Sequence, residues 1–333
     1  MNNPRAGSLT GDAVVDRTVR GFLEVVTLLF PERVRACYLT GSWYDGTAVR
    51  VPGESLNSSD VDLSVVFRGA AEAGERERFE ACRRACEEIS GLGLDGLDAS
   101  ALDETQLVQD GNVSVKEASL LLSGEDIRQA IPVPRLGDYT QRAITLSVTL
   151  IGTFRATTVL APPLTYPDPV GEFYGYDFGE EEYGGLIGTR LLVDSVTWGA
   201  TALVAIQAQR LGASKRAAVA LYADIIGDEW TALVQGIYQR GKHEWRYGIP
   251  EASHDRQELR GLCSQVVAFE NHLLDLYANY LHQARRTGEP RLRDAASEML
   301  ARITPLVALT ENPFPATANA DHPKRPNDKR ISQ

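Results

Sequence analysis

Apolar residues at Val15, Val19, Phe22, Val26 and Phe30 recur at the spacing of one buried helix face, which predicts a helix over 12–30. The next segment, VRACYLT (34–40), is rich in strand formers and stops at Gly41, so it reads as a short strand. A loop of Gly, Pro, Asn and Ser follows, and VDLSVVF (61–67) then reads as a second strand. ERERFEACRRACEEIS (75–90) has helical amphipathicity, with Cys82 and Cys86 on one face beside Phe79 and Ile89. LDAS, within 94–101, is the third expected strand. QLVQ and NVSVK flank Asp110-Gly111, a dipeptide favoured at tight turns, which predicts a hairpin there.

The pattern changes after Lys116. Pro132 and Pro134 punctuate a junction into helix-rich sequence, with helices expected at about 138–160, 186–211, 214–226, 228–240, 255–286 and 291–308. Ser214 and Asp228 are suited to cap two of them. A Pro-, Gly- and Tyr-rich loop (160–185) separates the first two helices, and the polar, Pro-rich tail after Thr310 reads as disordered. No internal repeat is evident. The expected fold class is α+β: an N-terminal head with a small mixed sheet and flanking helices, then an all-α C-terminal domain. The boundaries follow as 1–130, 131–309 and a tail over 310–333.

Composition narrows the field only slightly. At 333 residues, 43% hydrophobic and 24% charged, the chain is ordinary for a globular protein. Its 34 basic against 45 acidic side chains give a formal charge of −11, which argues against a general nucleic-acid binder and suits a cationic partner. The four cysteines and five histidines form no zinc pattern, so Cys37, Cys82, Cys86 and Cys263 read as buried small hydrophobes in a reducing compartment. MNNPRAGSLTGD has no secretion-type apolar stretch, and the apolar segments at 144–162 and 186–206 are interrupted by polar residues. A cytoplasmic protein without a membrane span is therefore expected.

The chemistry is concentrated in LTGSWYDGTAVRVPGESLNSSDVDLSVVF (39–67). Strand alternation points Asp60 and Asp62 to one face and Val61 and Leu63 to the other. Two carboxylates that close repel unless a cation lies between them, and an oxygen-rich, histidine-free pair suits magnesium. Magnesium held by one or two carboxylates completes its shell with water and substrate phosphates, which points to a nucleotide. Gly41 would let a phosphate approach the backbone, and Ser42 offers a hydroxyl and an amide.

This order of strand, Gly-Ser, loop and Asp-x-Asp strand resembles the DNA polymerase β-like nucleotidyltransferase superfamily. The loop is long, with 17 residues between Ser42 and Asp60, and the surplus is assigned to VRVPGESLN as an exposed insertion. The resemblance implies a third carboxylate from a later strand; Asp98 is the first choice and Asp95 the competitor. That acid would complete the metal site or serve as base for an acceptor hydroxyl.

LLLSGEDIRQAIPVP (120–134) is similar to the segment linking two domains in aminoglycoside adenylyltransferases of the streptomycin/spectinomycin type. RLLVDSVTWGATALVAIQAQRLGASKRAAVAL (190–221) is similar to their helix, Gly turn and lysine-bearing helix start. The resemblance spans about 36–240 and implies that Lys215 reaches the triphosphate, with ATP as co-substrate and Mg2+ on Asp60, Asp62 and Asp98. It also implies antibiotic resistance as a role and a small cationic acceptor between head and helical domain. Asp177, Glu180, Glu181 and Glu182, with Tyr174, Tyr176 and Trp198, are candidates for that acceptor site. Two other readings remain open: the same chemistry on a protein or transfer RNA, as in toxin–antitoxin relatives, and a nucleotide-binding module without catalysis.

Overall fold

The computed structural model describes residues 8–51, 58–92, 96–177, 188–286, 290–301 and 303. The first apolar stripe forms α1 (Ala13–Leu29), whose Asp12 side chain caps it by accepting from the Val14 and Val15 amides. Val15, Val19, Phe22, Val26 and Phe30 are each at most 2% exposed. Four strands follow: β1 (Val34–Leu39), β2 (Val61–Phe67), β3 (Leu97–Asp103) and β4 (Leu120–Gly124). They form one mixed sheet in the order β3-β2-β1-β4. β2 and β3 run parallel, joined through α3 (Ala73–Ser90), while β1 is antiparallel to both β2 and β4.

One face of the sheet carries Leu63, Val65 and Phe67 against α1 and α3. Phe67 meets Phe30 and Phe79 edge-on at centroid distances of 5.2 and 5.9 Å. Cys82 and Cys86 are buried in this layer, but Ile89 is 84% exposed, so the apolar face of α3 ends before it. The other face packs Ala36, Tyr38 and Val66 on Leu107, Val115, Ile127 and Ile131.

The hairpin expected around Asp110-Gly111 is instead two short helices, α4 (Glu104–Asp110) and α5 (Val113–Glu117). Gly111 ends α4 at φ +78° and lies so close to Pro132 that a Cβ would come within 2.4 Å of its carbonyl oxygen. Asn112 then starts α5 by accepting from the Val115 amide. The dipeptide is thus a helix stop followed at once by a helix cap, and Leu107, Val113 and Val115 are buried by that arrangement. The strand that completes the sheet is β4, inside the segment read from the sequence as a linker. It pairs with Ala36 to Leu39 at the sheet edge.

The C-terminal region is helical: α6 (Leu136–Phe154), α7 (Arg190–Leu203), α8 (Lys215–Leu221), α9 (Thr231–Gly236), α10 (Ser253–Arg285) and α11 (Pro290–Ala301). Helices α7, α8 and α9 each continue into a wider π-type turn, over Val204–Ala208, Tyr222–Ile226 and Ile237–Glu244. Ser214 caps α8 as expected, accepting from Ala217. Asp228 bonds the Trp230 amide and the Tyr222 hydroxyl, two residues before Trp230 takes the cap position of α9.

By length and composition, 190–208 is apolar enough to cross a membrane, with a mean hydropathy of 1.4. Leu192, Val193, Val196, Ala200 and Leu203 account for this, each at most 1% exposed in the helical core. A buried Arg155–Glu270 ion pair at 2.6 Å, which Tyr176 joins through its hydroxyl, ties the end of α6 to α10.

The loop before β2 is not an exposed insertion over its described part. Val49 is 7% exposed and belongs to the core of the helical region, with Val51 packed beside it. The Ser59 amide donates to Val49 O at 2.6 Å, and the Ser58 hydroxyl accepts from the Val51 amide. The two valines give the loop an apolar edge to bury, and this edge seats the sheet against the helices. Residues 52–57 of VRVPGESLN lie outside the described residues.

Candidate active site

Val61 and Leu63 enter the α1–α3 core, so strand alternation turns Asp60 and Asp62 to the other face, as the sequence predicted. On the neighbouring strand Leu97 and Ala99 do the same and leave Asp98 beside Asp62, its partner in the parallel register. Asp60, Asp62 and Asp98 each present a carboxylate oxygen within 4.8 Å of the others. Asp95, the competitor for the third position, lies outside the described residues.

The turn after β1 is a short helix, α2 (Gly41–Asp45), and it abuts this cluster. Gly41 sits at φ +64°, and a Cβ there would lie 1.8 Å from Asp62 Oδ2. The close approach expected for a phosphate is thus taken by the Asp62 carboxylate, which only a glycine can admit. Burial pushes the Asp62 carboxyl well above its ordinary value, and the neighbouring Asp60 and Asp98 push the same way. Lys215 and Arg190 offset part of that rise.

These acids line a cavity of about 610 Å³ between the sheet and the helices. Its helical wall is cationic. Arg190, at the start of α7, reaches Asp60 Oδ2 at 3.2 Å. Lys215, the first residue of α8, donates to Asp194 at 2.7 Å, and its ammonium lies 5.8 Å from the Trp198 ring centroid. Burial acts to lower Lys215, but Asp194, Tyr247 and Asp60 together outweigh it and hold the ammonium above its usual value. Lys242, on the π turn after α9, is 4% exposed and donates to the Thr47 hydroxyl at 3.2 Å. Helices α4 to α6 contribute a further stretch of wall with Asp110, Asn112, Asp138 and Tyr139.

The structure therefore brings Gly41, Ser42, Asp60, Asp62, Asp98, Trp198 and Lys215 to one cavity. It does not bring Asp177 there. Burial raises that carboxyl, and its charged neighbours are Glu172, Asp168 and Arg256. Tyr174 stacks on Tyr166, and Tyr176 is fully buried on Glu270, so neither aromatic lines the site. Glu180, Glu181 and Glu182 lie outside the described residues.

Sequence reasoning did not find Arg190, Asp194, Lys242, Thr47 or Tyr247, all of which line the cavity. Arg190 and Asp194 are four apart on α7, which places them on one helix face beside the predicted Trp198. That spacing was readable. Lys242 stands in IYQRGKHEW with no motif around it, and only its burial marks it.

No protein-family model matches the chain, and no curated protein matches it. Among solved structures, the chain is similar to one named "a putative nucleotidyltransferase from Sulfolobus solfataricus". The match is 19% identical, covers 36% of this chain and 94% of that one, and has a TM-score of 0.21. A likeness at that level carries no argument about activity, which has to rest on the site itself.

Proposed function

We propose that the protein is a metal-dependent nucleotidyltransferase, moving a nucleoside monophosphate, AMP from ATP, onto a hydroxyl of a small acceptor. The observation that carries this reading is the convergence of Asp60, Asp62 and Asp98 within 4.8 Å in a cavity whose helical wall presents Arg190, Lys215 and Lys242. A divalent ion fits the donor set: all its atoms are carboxylate oxygens, and the Asp62 carboxyl is raised by burial first and then by Asp60 and Asp98, a repulsion that a cation would relieve. Asp60, Asp62 and Asp98 would hold that ion, magnesium by hardness, and it would supply charge neutralisation of the triphosphate.

The chain's own residues account for the rest. Ser42 and Lys215 bind the phosphates on the leaving side, fixing the α-phosphorus for in-line attack. Asp98 takes the proton of the acceptor hydroxyl as its oxygen bonds to the α-phosphorus. The bond from that phosphorus to the bridging oxygen breaks, and pyrophosphate leaves. Alignment and charge placement supply most of the rate gain in such transfers.

For the acceptor, the wall from α4 to α6 with Asp110, Asp138 and Tyr139, and Trp198 from α7, supports a compact hydroxylated molecule that carries positive charge. An aminoglycoside is one such molecule. The deciding experiment is mass spectrometry of a panel of aminocyclitols and other polyols after incubation with enzyme, ATP and magnesium. A mass gain of one adenylyl group on an acceptor, lost in Asp62→Asn, is expected. Adenylylation of protein or transfer RNA alone would replace the small acceptor, and nucleotide binding with no transfer would replace the enzyme reading.

A further inference from the structure

Of the four cations that line the cavity, Arg142 is exposed to solvent, and among the other three Lys242 differs in its partners. Lys215 is matched by Asp194 at 2.7 Å and Arg190 reaches Asp60 at 3.2 Å, so each already meets a carboxylate. Lys242 is 4% exposed, yet its described hydrogen-bond partner is a hydroxyl, Thr47 Oγ1, and no carboxylate among the described residues lies within ion-pair distance. An ammonium has three donors, and a buried one held by a single neutral oxygen is under-coordinated.

Its surroundings add to that deficit. Lys215 faces it as a like charge, Asp194, Asp45 and Asp60 act as more distant carboxylates, and the Tyr238 ring lies 5.6 Å away. His243 is the adjacent titratable group, and burial followed by Lys242 lowers it. Thr47 is itself oriented, donating from its hydroxyl to Asp45 at 2.6 Å, so the lysine is held on a chain of fixed groups from the β1–β2 loop. The lysine also sits in a π-type turn, an irregularity found frequently at functional positions and shared here with the ends of α7 and α8.

We propose that Lys242 binds the terminal phosphate of the triphosphate, its ammonium being the buried cation among the described cavity residues whose charge the protein leaves for the ligand to complete. This rests on the nucleotidyl-transfer reading and assigns the polyphosphate end to the Lys242–Thr47 corner. A phosphate oxygen there fills the empty donor positions and relieves the repulsion between Lys242 and Lys215. Burial first, and Lys215 second, bring the lysine down to about 8 in the free protein. The bound anion reverses this, so Lys242 takes up a proton as the nucleotide binds.

The test is calorimetric titration of ATP with magnesium, and of AMP, into the full chain and into Lys242→Gln and Lys242→Arg. Removing a charged hydrogen bond should weaken ATP roughly 10- to 100-fold in Lys242→Gln and leave AMP unchanged. Lys242→Arg should keep most of the ATP affinity. At about pH 8, titrations in buffers of different ionisation enthalpy should show the wild type absorbing roughly half a proton more than Lys242→Arg. The wild type alone gives a third readout: its ATP affinity should be flat below about pH 8 and fall above it, whereas release of a proton from Asp62 would make affinity rise with pH. Equal ATP affinity in wild type and Lys242→Gln, or affinity undiminished through alkaline pH, overturns the assignment and leaves the transferase reading standing. Failure of the wild type to bind ATP at all overturns both.

Discussion

Replacing Gly41 by alanine should disable the acidic cluster without touching an acid. The new Cβ would lie 1.8 Å from Asp62 Oδ2 and 2.6 Å from its Cγ, where ordinary contact begins at 3.4 Å. The carboxylate must therefore retreat by about 1.6 Å, more than the ~1 Å displacement that can cost roughly 100-fold in a positioned site. A φ of +64° adds the strain of a left-handed alanine, about 1–2 kcal/mol, which corresponds to a fall in Tm of roughly 2–6 °C. Gly46 provides the control. It has φ +73°, and a Cβ there would meet nothing within 4 Å, so Gly46→Ala carries the strain without the collision. Manganese titration followed by electron paramagnetic resonance, at saturating ATP, reads the outcome. Gly41→Ala should lose about 100-fold in metal affinity, with Gly46→Ala close to wild type and similarly destabilised. Metal affinities for the two variants within about threefold of each other would refute the claim that Gly41 exists to seat Asp62.

Three further substitutions probe the charges. Asp62→Asn should raise the Tm of the cation-free protein by an amount equivalent to about 0.5–2 kcal/mol while abolishing metal binding. The sign follows from linkage: the folded state holds the Asp62 proton to higher pH than the unfolded chain, so wild-type stability declines as pH rises from about 3.8 through the raised folded value. The gain in the asparagine variant should therefore be full above that window and vanish in acid, as scanning calorimetry across pH would reveal. Asp194→Asn leaves Lys215 in the cavity without its carboxylate and should destabilise the chain by about 1–3 kcal/mol, measured by urea unfolding; a neutral result would show the pair to be solvated. Glu270→Ala breaks a pair whose carboxylate side chain is 2% exposed and should cost about 3–5 kcal/mol while leaving metal affinity per folded molecule unchanged. A changed metal affinity there would show the two regions to be coupled.

Much of the sheet and the acid pair was legible because each rests on local rules. Val61 and Leu63 are buried, so the intervening Asp62 had to face away from that core. Asp98 could be placed by the same alternation between Leu97 and Ala99, but its nearness to Asp62 depends on the parallel register, which no single segment records. The hairpin expectation failed because Asp110-Gly111 serves equally well to end a helix, and the choice was made by distant packing of Gly111 against Pro132. β4 was overlooked since a three-leucine edge strand has no alternation to display. On the cavity's helical wall, Lys215 follows from the family resemblance and its helix start and Trp198 from its place near the acidic loop, while the four-residue spacing marks Arg190 and Asp194. Lys242 and Asp194 owe their roles to burial and partners. The acidic loop stands out by its charge and its neighbouring aromatics, neither of which fixes a position in space, and Asp177 lies near Glu172, Asp168 and Arg256 and does not line the cavity.

Anomalous X-ray scattering from crystals grown with manganese and a non-hydrolysable ATP analogue tests the central claim most directly. The account predicts a manganese peak coordinated by Asp60 and Asp62, with the analogue's phosphates beside it and its terminal phosphate at Lys242. Manganese absent from that cluster, or found only at the surface group His254, Asp255 and Glu258, would contradict it.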